Sequence, residues 1–132
     1  METSQQKGCS EGGVVKSILI VEDDPVLGNL LLETFQEETT YQGYLASSGE
    51  SALNMLSTIT PALFLFDYHL PGMNGLELAD HLRRRERGKQ CPILLMSADL
   101  PQGNGALDHL RTLQKPFDLE ALLQLIAELL VL

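Results

Sequence analysis

Three short apolar runs constrain the fold of this chain more than any other feature of its sequence. They are "SILIVEDD" (Ser17 to Asp24), "ALFLFDYH" (Ala62 to His69) and "PILLMSAD" (Pro92 to Asp99). None of them alternates apolar and polar residues, as a strand with one solvent-facing side does. Short continuous apolar runs are typical of parallel strands that helices cover on both faces. Each run is therefore predicted to form a buried strand of a parallel sheet.

The segments around these strands carry helical periodicity, with apolar residues three and four positions apart. Two weaker strands complete the pattern: "YQGYLAS" (Tyr41 to Ser47), which suits a sheet edge, and "LRTLQKP" (Leu110 to Pro116). The result is a strand–helix unit repeated five times, which predicts one parallel sheet with helices on both faces. The periodic positions are Leu27, Leu30, Leu31 and Phe35 after Pro25; Ala52, Met55, Leu56 and Ile59; Leu78, Ala79 and Leu82; and the final segment "DLEALLQLIAELLVL", with Asp118 as N-cap and Phe117 against Leu122.

The length of 132 residues is that of one domain with a sizeable core. Residues 1–15 are polar and glycine-rich, and they are predicted to form a flexible leader to a domain at 16–132. No apolar run approaches the roughly 18 residues of a membrane span. Cys9 and Cys91 lie in no CxxC or histidine-rich pattern, so we expect neither a zinc site nor a disulfide framework, and we expect a reducing, cytoplasmic compartment.

The charge of the chain argues against nucleic-acid binding. Its formal net charge is −9, from 18 acidic residues against nine lysines and arginines. Five of those nine bases lie in "RRRERGK" (Arg83 to Lys89), whereas nucleic acids need a broad positive face. We interpret this run as the solvated end of a helix, where positive charge complements the helix dipole.

Polar residues stand at the carboxyl ends of the predicted strands, where open parallel sheets bind ligands. If the first and third strands are neighbours, Asp23 and Asp67 meet close to Glu22. Carboxylates placed so closely repel one another unless a cation lies between them. Mg²⁺ suits such an oxygen-rich site, and Ser97 and Lys115 on its other side would complete a phosphoryl-transfer site in which a carboxylate attacks phosphorus.

Each of these residues also has a simpler explanation. The acidic "EDD" could complement a helix dipole, Asp67 could cap the "PGMNG" turn, and Lys115 could be a surface lysine. The functional interpretation therefore depends on their joint occurrence at successive strand ends.

The motifs "ILIVEDDP", "LFLFDYHLPGMNGLEL", "ILLMSA" and "KPF" together resemble the receiver domain of two-component response regulators, the family that includes the bacterial chemotaxis regulator. The likeness covers about residues 16 to 132, and the spacings from Asp23 to Asp67 and from Asp67 to Ser97 also fit. It implies a doubly wound, flavodoxin-like α/β/α fold whose five parallel strands lie in the order 2-1-3-4-5.

The resemblance also implies a role for each matching residue. Asp67 resembles the phosphoacceptor, Asp23 the direct Mg²⁺ ligand, and Glu22 a neighbour that acts through water. The backbone carbonyl of His69 is similar to the third protein ligand, while the imidazole is expected to tune the access of water. Lys115 resembles the lysine that pairs with the phosphoaspartate, before a Pro116 bond that is typically cis in the family, and Ser97, followed by the small Ala98, resembles the switch hydroxyl.

The family resemblance further implies a signalling module rather than an enzyme of metabolism. A histidine kinase or histidine phosphotransfer protein would supply the phosphoryl group, and the domain would catalyse its own phosphorylation and dephosphorylation while it switches conformation. No direct contact with nucleic acid or membrane is expected of this domain.

The chain departs from the family pattern after Ser97. The aromatic residue usual three places before the lysine is Thr112 here, and the interval to Lys115 is a few residues shorter than in the chemotaxis regulator. Pro101, Gly103 and Gly105 in this interval disfavour a helix, so the fourth helix is predicted to be short, shifted or disordered. The usual route from the switch hydroxyl to an aromatic residue is therefore in question.

Two apolar stripes mark the last helix, where a surface helix needs one. Leu119, Leu122, Leu123 and Ile126 form the first; Leu125, Leu129 and Leu132 form the second. The second stripe packs onto the core, meets a segment that would follow in the chain, or meets another subunit, which would give a homodimer through this helix.

Three other functions remain alternatives at this stage. A phosphatase of the haloacid-dehalogenase type also uses an aspartyl nucleophile, but it would need a second aspartate where this chain has His69, and usually a cap domain. A flavodoxin-like electron carrier would need a phosphate-binding loop where the acidic "EDDP" stands. A pseudo-receiver would be a docking module that is not phosphorylated, against which the intact acidic pair, Asp67 and Lys115 argue.

Overall fold

A computed structural model of the chain describes residues 15–85, 91–99 and 110–131. Five parallel strands form one sheet in the order β2-β1-β3-β4-β5, which confirms the predicted fold class and strand order. The weak strands β2 and β5 lie at the two edges of the sheet. The strands are β1 (Ser17–Val21), β2 (Gln42–Ala46), β3 (Leu63–Asp67), β4 (Ile93–Ser97) and β5 (Arg111–Gln114).

Helices cover both faces of the sheet. Within the described ranges they are α1 (Pro25–Glu38), α2 (Gly49–Met55), α3 (Gly75–Arg85) and α4 (Leu119–Leu130). The side chains of α1 and α4 pack into one core cluster, and those of α2 and α3 pack into the other. The sheet is therefore the middle layer of three.

The uninterrupted apolar runs arise because each central strand serves both cores. Ile18 and Ile20 of β1 belong to the α1/α4 core, while Leu19 and Val21 belong to the α2/α3 core. Successive side chains of a strand point to opposite faces, so a strand covered on both sides needs apolar residues at every position. The same division runs along β3 (Leu63 and Leu65 against Phe64 and Phe66) and β4 (Leu94 and Met96 against Ile93 and Leu95).

Side-chain caps fix the start of each helix. The carboxylate of Asp24 accepts a hydrogen bond from the Val26 N–H before Pro25 opens α1, and Asp118 accepts one from the Ala121 N–H at the start of α4. At α3, Asn74 and Glu77 each accept a hydrogen bond from the backbone N–H of the other, at 2.9 Å, in a reciprocal capping box. These caps place the strand-to-helix loops that surround the carboxyl edge of the sheet.

The second helix is shorter than its apolar pattern predicts. The pattern extends to Ile59, but α2 ends at Met55. The N–H groups of Leu56, Ser57 and Thr58 bond to carbonyls three residues back rather than four, which tightens the chain into turns. Leu56 and Ile59 still pack against the α2/α3 core from this turn.

The second apolar stripe of the last helix packs against the core. Leu122, Ile126 and Leu130 are buried, while Leu125 and Leu129 are half-buried and contact the α1/α4 core cluster. The packing explanation therefore accounts for both residues without a second subunit.

Several sequence predictions fall on residues outside the described ranges. They are the leader up to residue 14, the unusual fourth helix at 100–109, the end of the basic run at 86–90, and Leu132. Arg83, Arg84 and Arg85 do lie in the last turn of α3, as the dipole argument predicts. No helix in the described part of the chain has the length and apolar character to cross a bilayer.

The first residue of α3 provides a test of the packing below Asp67. A Cβ on Gly75 would lie 2.6 Å from Cδ1 of Leu95 and 2.8 Å from the carbonyl oxygen of Asp67. The strand end cannot move aside, so Gly75→Ala should lower the free energy of unfolding by about 1–3 kcal/mol in urea titrations.

The matched control is Gly49→Ala, since Gly49 also begins a helix. The nearest atoms to its Cβ all belong to the flexible side chain of Met73, so its loss should be clearly smaller. Equal losses in the two variants would contradict this account.

Candidate functional site

The last residue of β3 is a buried aspartate. Asp67 is only 6% exposed, and both of its carboxylate oxygens have partners. Oδ1 accepts a hydrogen bond from the His69 N–H at 3.0 Å, and Oδ2 accepts one from Nζ of Lys115 at 2.7 Å. The hydrogen bond from the Lys115 N–H to the Ser97 carbonyl, at 2.8 Å, holds Lys115 at the edge of the sheet.

Glu22 lies beside this ion pair, directly after β1. Its N–H donates to the carbonyl of Ala46 on the neighbouring strand, which fixes the backbone of Glu22. Oε2 accepts a hydrogen bond from the Asp24 N–H, and Oε1 lies 3.7 Å from Nζ of Lys115. Among the described residues, Oε1 is buried without a hydrogen-bond partner, which is a costly position for a charged oxygen.

The burial of these groups changes their proton affinities. Burial raises the pKa of Glu22 from 4.5 to about 7, and the nearby charges of Asp67 and Asp23 add to this shift, while the Asp24 N–H and the charge of Lys115 oppose it. Burial alone would lower the pKa of Lys115, but its hydrogen bond to Asp67 and the attraction of Glu22 and Asp67 outweigh burial and raise it. The ammonium group therefore stays charged between two carboxylates.

The three acidic residues after β1 take three different positions. Glu22 points into the protein, and Asp23 is exposed next to it, close enough for its charge to raise the pKa of Glu22. Asp24 caps α1. The helix-dipole explanation thus fits Asp24, while Glu22 and Asp23 remain at the sheet edge with Asp67.

Ser97 ends β4 and is fully buried, but its hydroxyl is directed to a residue that the sequence analysis did not single out. The hydroxyl donates to Oδ1 of Asp99 at 3.1 Å, and the Asp99 N–H donates back to Oγ of Ser97 at 3.2 Å. Nε2 of His69 lies 2.7 Å from the same Oδ1. The hydrogen bond from His69, and to a smaller extent the one from Ser97, hold the pKa of Asp99 below its usual range.

The signal for Asp99 was present in the sequence. It is the last residue of the run "PILLMSAD", two places after a strand-end serine, just as His69 is two places after Asp67. The structure joins these two loop positions.

The oxygen ligands at the site suit a hard divalent cation. Oε1 of Glu22, which accepts no hydrogen bond, the exposed Asp23 and the carboxylate of Asp67 offer oxygen atoms and no sulfur. Among the described residues, no group of three or more acidic, histidine or cysteine side chains is placed to hold a metal ion. Mg²⁺ needs no such group, because it keeps several waters and takes one or two carboxylates together with carbonyl or phosphate oxygens. The residues present therefore fit Mg²⁺.

The raised pKa of Glu22 gives a pH prediction for the metal-free protein. Between about pH 4.5 and pH 7 the folded state binds a proton that the unfolded state has released, so the stability linked to Glu22 falls as the pH rises through this window. Glu22→Gln should therefore be more stable than wild type at pH 8 by about 1–3 kcal/mol, and this advantage should shrink at pH 5.

Urea unfolding in EDTA at the two pH values measures this difference. The exposed Glu33→Gln variant is the control for the loss of one negative charge. A difference between Glu22→Gln and wild type that is the same at both pH values would show that Glu22 is not protonated in the folded state.

Comparison with known proteins yields one consistent family. The family model described as "Response regulator receiver domain" matches residues 18–127. The regulator of RpoS from Escherichia coli is 45% identical over 87 residues, which are 64% of this chain and 24% of that protein. The sporulation initiation phosphotransferase F of Bacillus subtilis is 32% identical over 109 residues, covering 80% of this chain and 86% of that protein.

Solved structures agree with these relatives. The response regulator TrrA of Thermotoga maritima, in complex with Mg²⁺ and BeF, is 29% identical and superposes with a TM-score of 0.77 over 87% of this chain and 99% of that chain. TrrA in complex with the histidine kinase ThkA superposes with a TM-score of 0.76. The chain spans about a quarter of the length of the regulator of RpoS that it matches. Fold, motifs and comparisons agree that the chain belongs to the response regulator receiver domain family of two-component signalling systems.

Proposed function

We propose that Asp67 accepts a phosphoryl group from a histidine kinase or a histidine phosphotransfer protein, and that the chain thereby switches between two conformations. The observation that carries this proposal is the ion pair between the buried Asp67 and the partly exposed Lys115, beside an oxygen of Glu22 that has no hydrogen-bond partner. A carboxylate oxygen of Asp67 forms a bond to phosphorus, and the bond from phosphorus to the nitrogen of the donor histidine breaks, leaving its electron pair on the imidazole.

The residues of the chain prepare Asp67 for this attack. The His69 N–H and the Lys115 ammonium orient its two oxygens. After transfer, Lys115 remains the cation that pairs with the phosphorylated side chain. The hydroxyl of Ser97 is the switch group, and it must leave Asp99 to reach a phosphoryl oxygen.

Glu22, Asp23, Asp67 and the backbone carbonyl of His69 are the ligands we propose for Mg²⁺. The ion supplies neutralising charge for the phosphoryl oxygens when it is bound. The protein's contribution is to hold carboxylates that repel one another, which is a state that a divalent cation stabilises.

An apolar depression of about 370 Å³ lies next to the site, and we propose it as the docking surface of the phosphodonor protein. Lys115 itself lines this depression, together with Leu27, Leu30 and Phe117. A partner that packs there places its histidine next to Asp67. In TrrA, a relative, the partner is the histidine kinase ThkA.

The proposal extends to the domain bounds, the location, the oligomeric state and the output of the chain. We propose residues 16–132 as the receiver domain, since the family model covers 18–127, and a cytoplasmic location, in keeping with a sequence that has no disulfide framework. A homodimer through α4 would use exposed parts of that helix, because Leu125 and Leu129 already contact the core. Thr112, which is exposed on β5, stands where the family usually has an aromatic residue, so we expect the output signal to take another route.

Phosphorylation by acetyl phosphate with Mg²⁺ tests the central claim. Intact-mass measurement should show one added phosphoryl group on wild type and none on Asp67→Asn, since the amide is not a nucleophile. Lys115→Ala should bind Mg²⁺ but lose most of the labelling. Equal labelling of wild type and Asp67→Asn would refute the assignment, and a wild type that stays unlabelled would favour a pseudo-receiver.

The different positions of Glu22, Asp23 and Asp24 give a second test. Asp23→Ala should weaken Mg²⁺ binding, which we expect near millimolar for wild type, by about tenfold or more as one carboxylate is lost. Asp24→Ala should leave Mg²⁺ affinity within about twofold but cost about 1 kcal/mol of stability through the lost cap. Mg²⁺-dependent thermal shifts and urea unfolding measure the two effects, and the reverse pattern would contradict the assignment.

A further inference from the structure

A bridge of side chains links the two loops that follow β3 and β4. Nε2 of His69, two residues after Asp67, lies 2.7 Å from Oδ1 of Asp99, two residues after Ser97. Since β3 and β4 are neighbouring strands, this contact crosses the carboxyl edge of the sheet between Asp67 and Ser97. The contact therefore ties the loop that follows Asp67 to the loop that follows Ser97.

Oδ1 of Asp99 is also the acceptor for the Ser97 hydroxyl. A hydroxyl has one proton to donate, so Ser97 cannot donate to a phosphoryl oxygen while it donates to Asp99. The reciprocal bond from the Asp99 N–H to Oγ of Ser97 holds the hydroxyl from the other side. The single proton of the Ser97 hydroxyl is thus committed to Asp99.

We propose that Asp99 is a positioning residue that holds the Ser97 hydroxyl in its unphosphorylated arrangement, and that His69 acts through Asp99 by holding its carboxylate across the sheet edge. The inference rests on the proposed function. Phosphorylation then requires the Ser97 hydroxyl to break its hydrogen bond to Asp99 and form one to a phosphoryl oxygen. The strength of the contacts among His69, Asp99 and Ser97 therefore sets how fast the domain is phosphorylated and how stable the phosphorylated state is.

The expected size of the effect follows from the exposure of the groups. The side chains of His69 and Asp99 are 61% and 74% exposed, so water competes for the bridge and its net contribution is that of an ordinary hydrogen bond. Removing the Asp99 carboxylate should therefore raise the rate of labelling by acetyl phosphate, and the affinity for beryllofluoride in Mg²⁺, by about 2- to 10-fold.

A double-mutant cycle separates positioning from a general charge effect. Introduced into the wild-type chain, Asp99→Ala should increase the labelling rate and the beryllofluoride affinity. Introduced into the Ser97→Ala variant, it should change neither, because the hydroxyl through which Asp99 acts is then gone. Asp99→Asn keeps a carbonyl oxygen that accepts both hydrogen bonds, so its effect should be smaller than that of Asp99→Ala. His69→Ala should act in the same direction and add nothing to Asp99→Ala.

Asp80→Ala is the control for charge, since Asp80 is exposed on α3 outside the site. It should leave both quantities unchanged, and Mg²⁺-induced stabilisation should be equal in wild type and Asp99→Ala.

Four results would overturn the inference. One is an unchanged labelling rate and beryllofluoride affinity in Asp99→Ala while wild type reacts normally. Another is an increase that persists fully in the Ser97→Ala background, or that Asp99→Asn reproduces in full, since either would show that Asp99 acts by its charge alone. A wild type that neither labels nor binds beryllofluoride would refute the proposed function together with this inference.

Discussion

The site depends on the attraction between the ammonium group of Lys115 and the side chains of Asp67 and Glu22. Asp67 and Glu22 are both almost fully buried at the same edge of the sheet, where their charges repel and water is largely excluded. A lysine 2.7 Å from one carboxylate and 3.7 Å from the other compensates part of this cost. The compensation is incomplete: one oxygen of Glu22 keeps no hydrogen-bond partner, and the pKa of Glu22 stays high. The folded chain thus retains an electrostatic deficit that a divalent cation would relieve.

Lys115 is distant from Asp67 both in the sequence and in the order of the strands. Lys115 follows the edge strand β5, and β4 separates β5 from β3, yet the long side chain reaches Asp67 across the end of β4. The parallel arrangement makes this reach useful, because every strand ends at the same edge. The capping residues Asp24, Asn74 and Asp118 then begin helices that turn the chain back along the sheet.

The sequence was sufficient to predict the sheet and most of its polar edge, for a physical reason. Two-sided burial leaves an unbroken apolar run, and the first polar residue after such a run must stand at the strand end. The side-chain directions at that edge were less accessible. Asp23 and Asp24 are adjacent acidic residues, so the sequence alone could not tell which of them caps a helix. In the structure Asp24 is the cap, and Asp23 remains exposed beside Glu22. The contact between His69 and Asp99 was also missed, because both lie in loops whose paths depend on tertiary packing. The length of α2 was overestimated since apolar periodicity continued into turns that pack on the same core.

The division of each central strand between two cores has a consequence for how such a sequence can change over time. Leu63 and Leu65 face the α1/α4 core, and Asp67 follows them in the same alternation, while Phe64 and Phe66 face the other side. A single residue inserted into or deleted from β3 would reverse every side chain beyond that point. The carboxylate would then turn away from Lys115, and both cores would lose their complementary shapes. This strand can therefore accept exchanges of one apolar residue for another, but it tolerates no change of length.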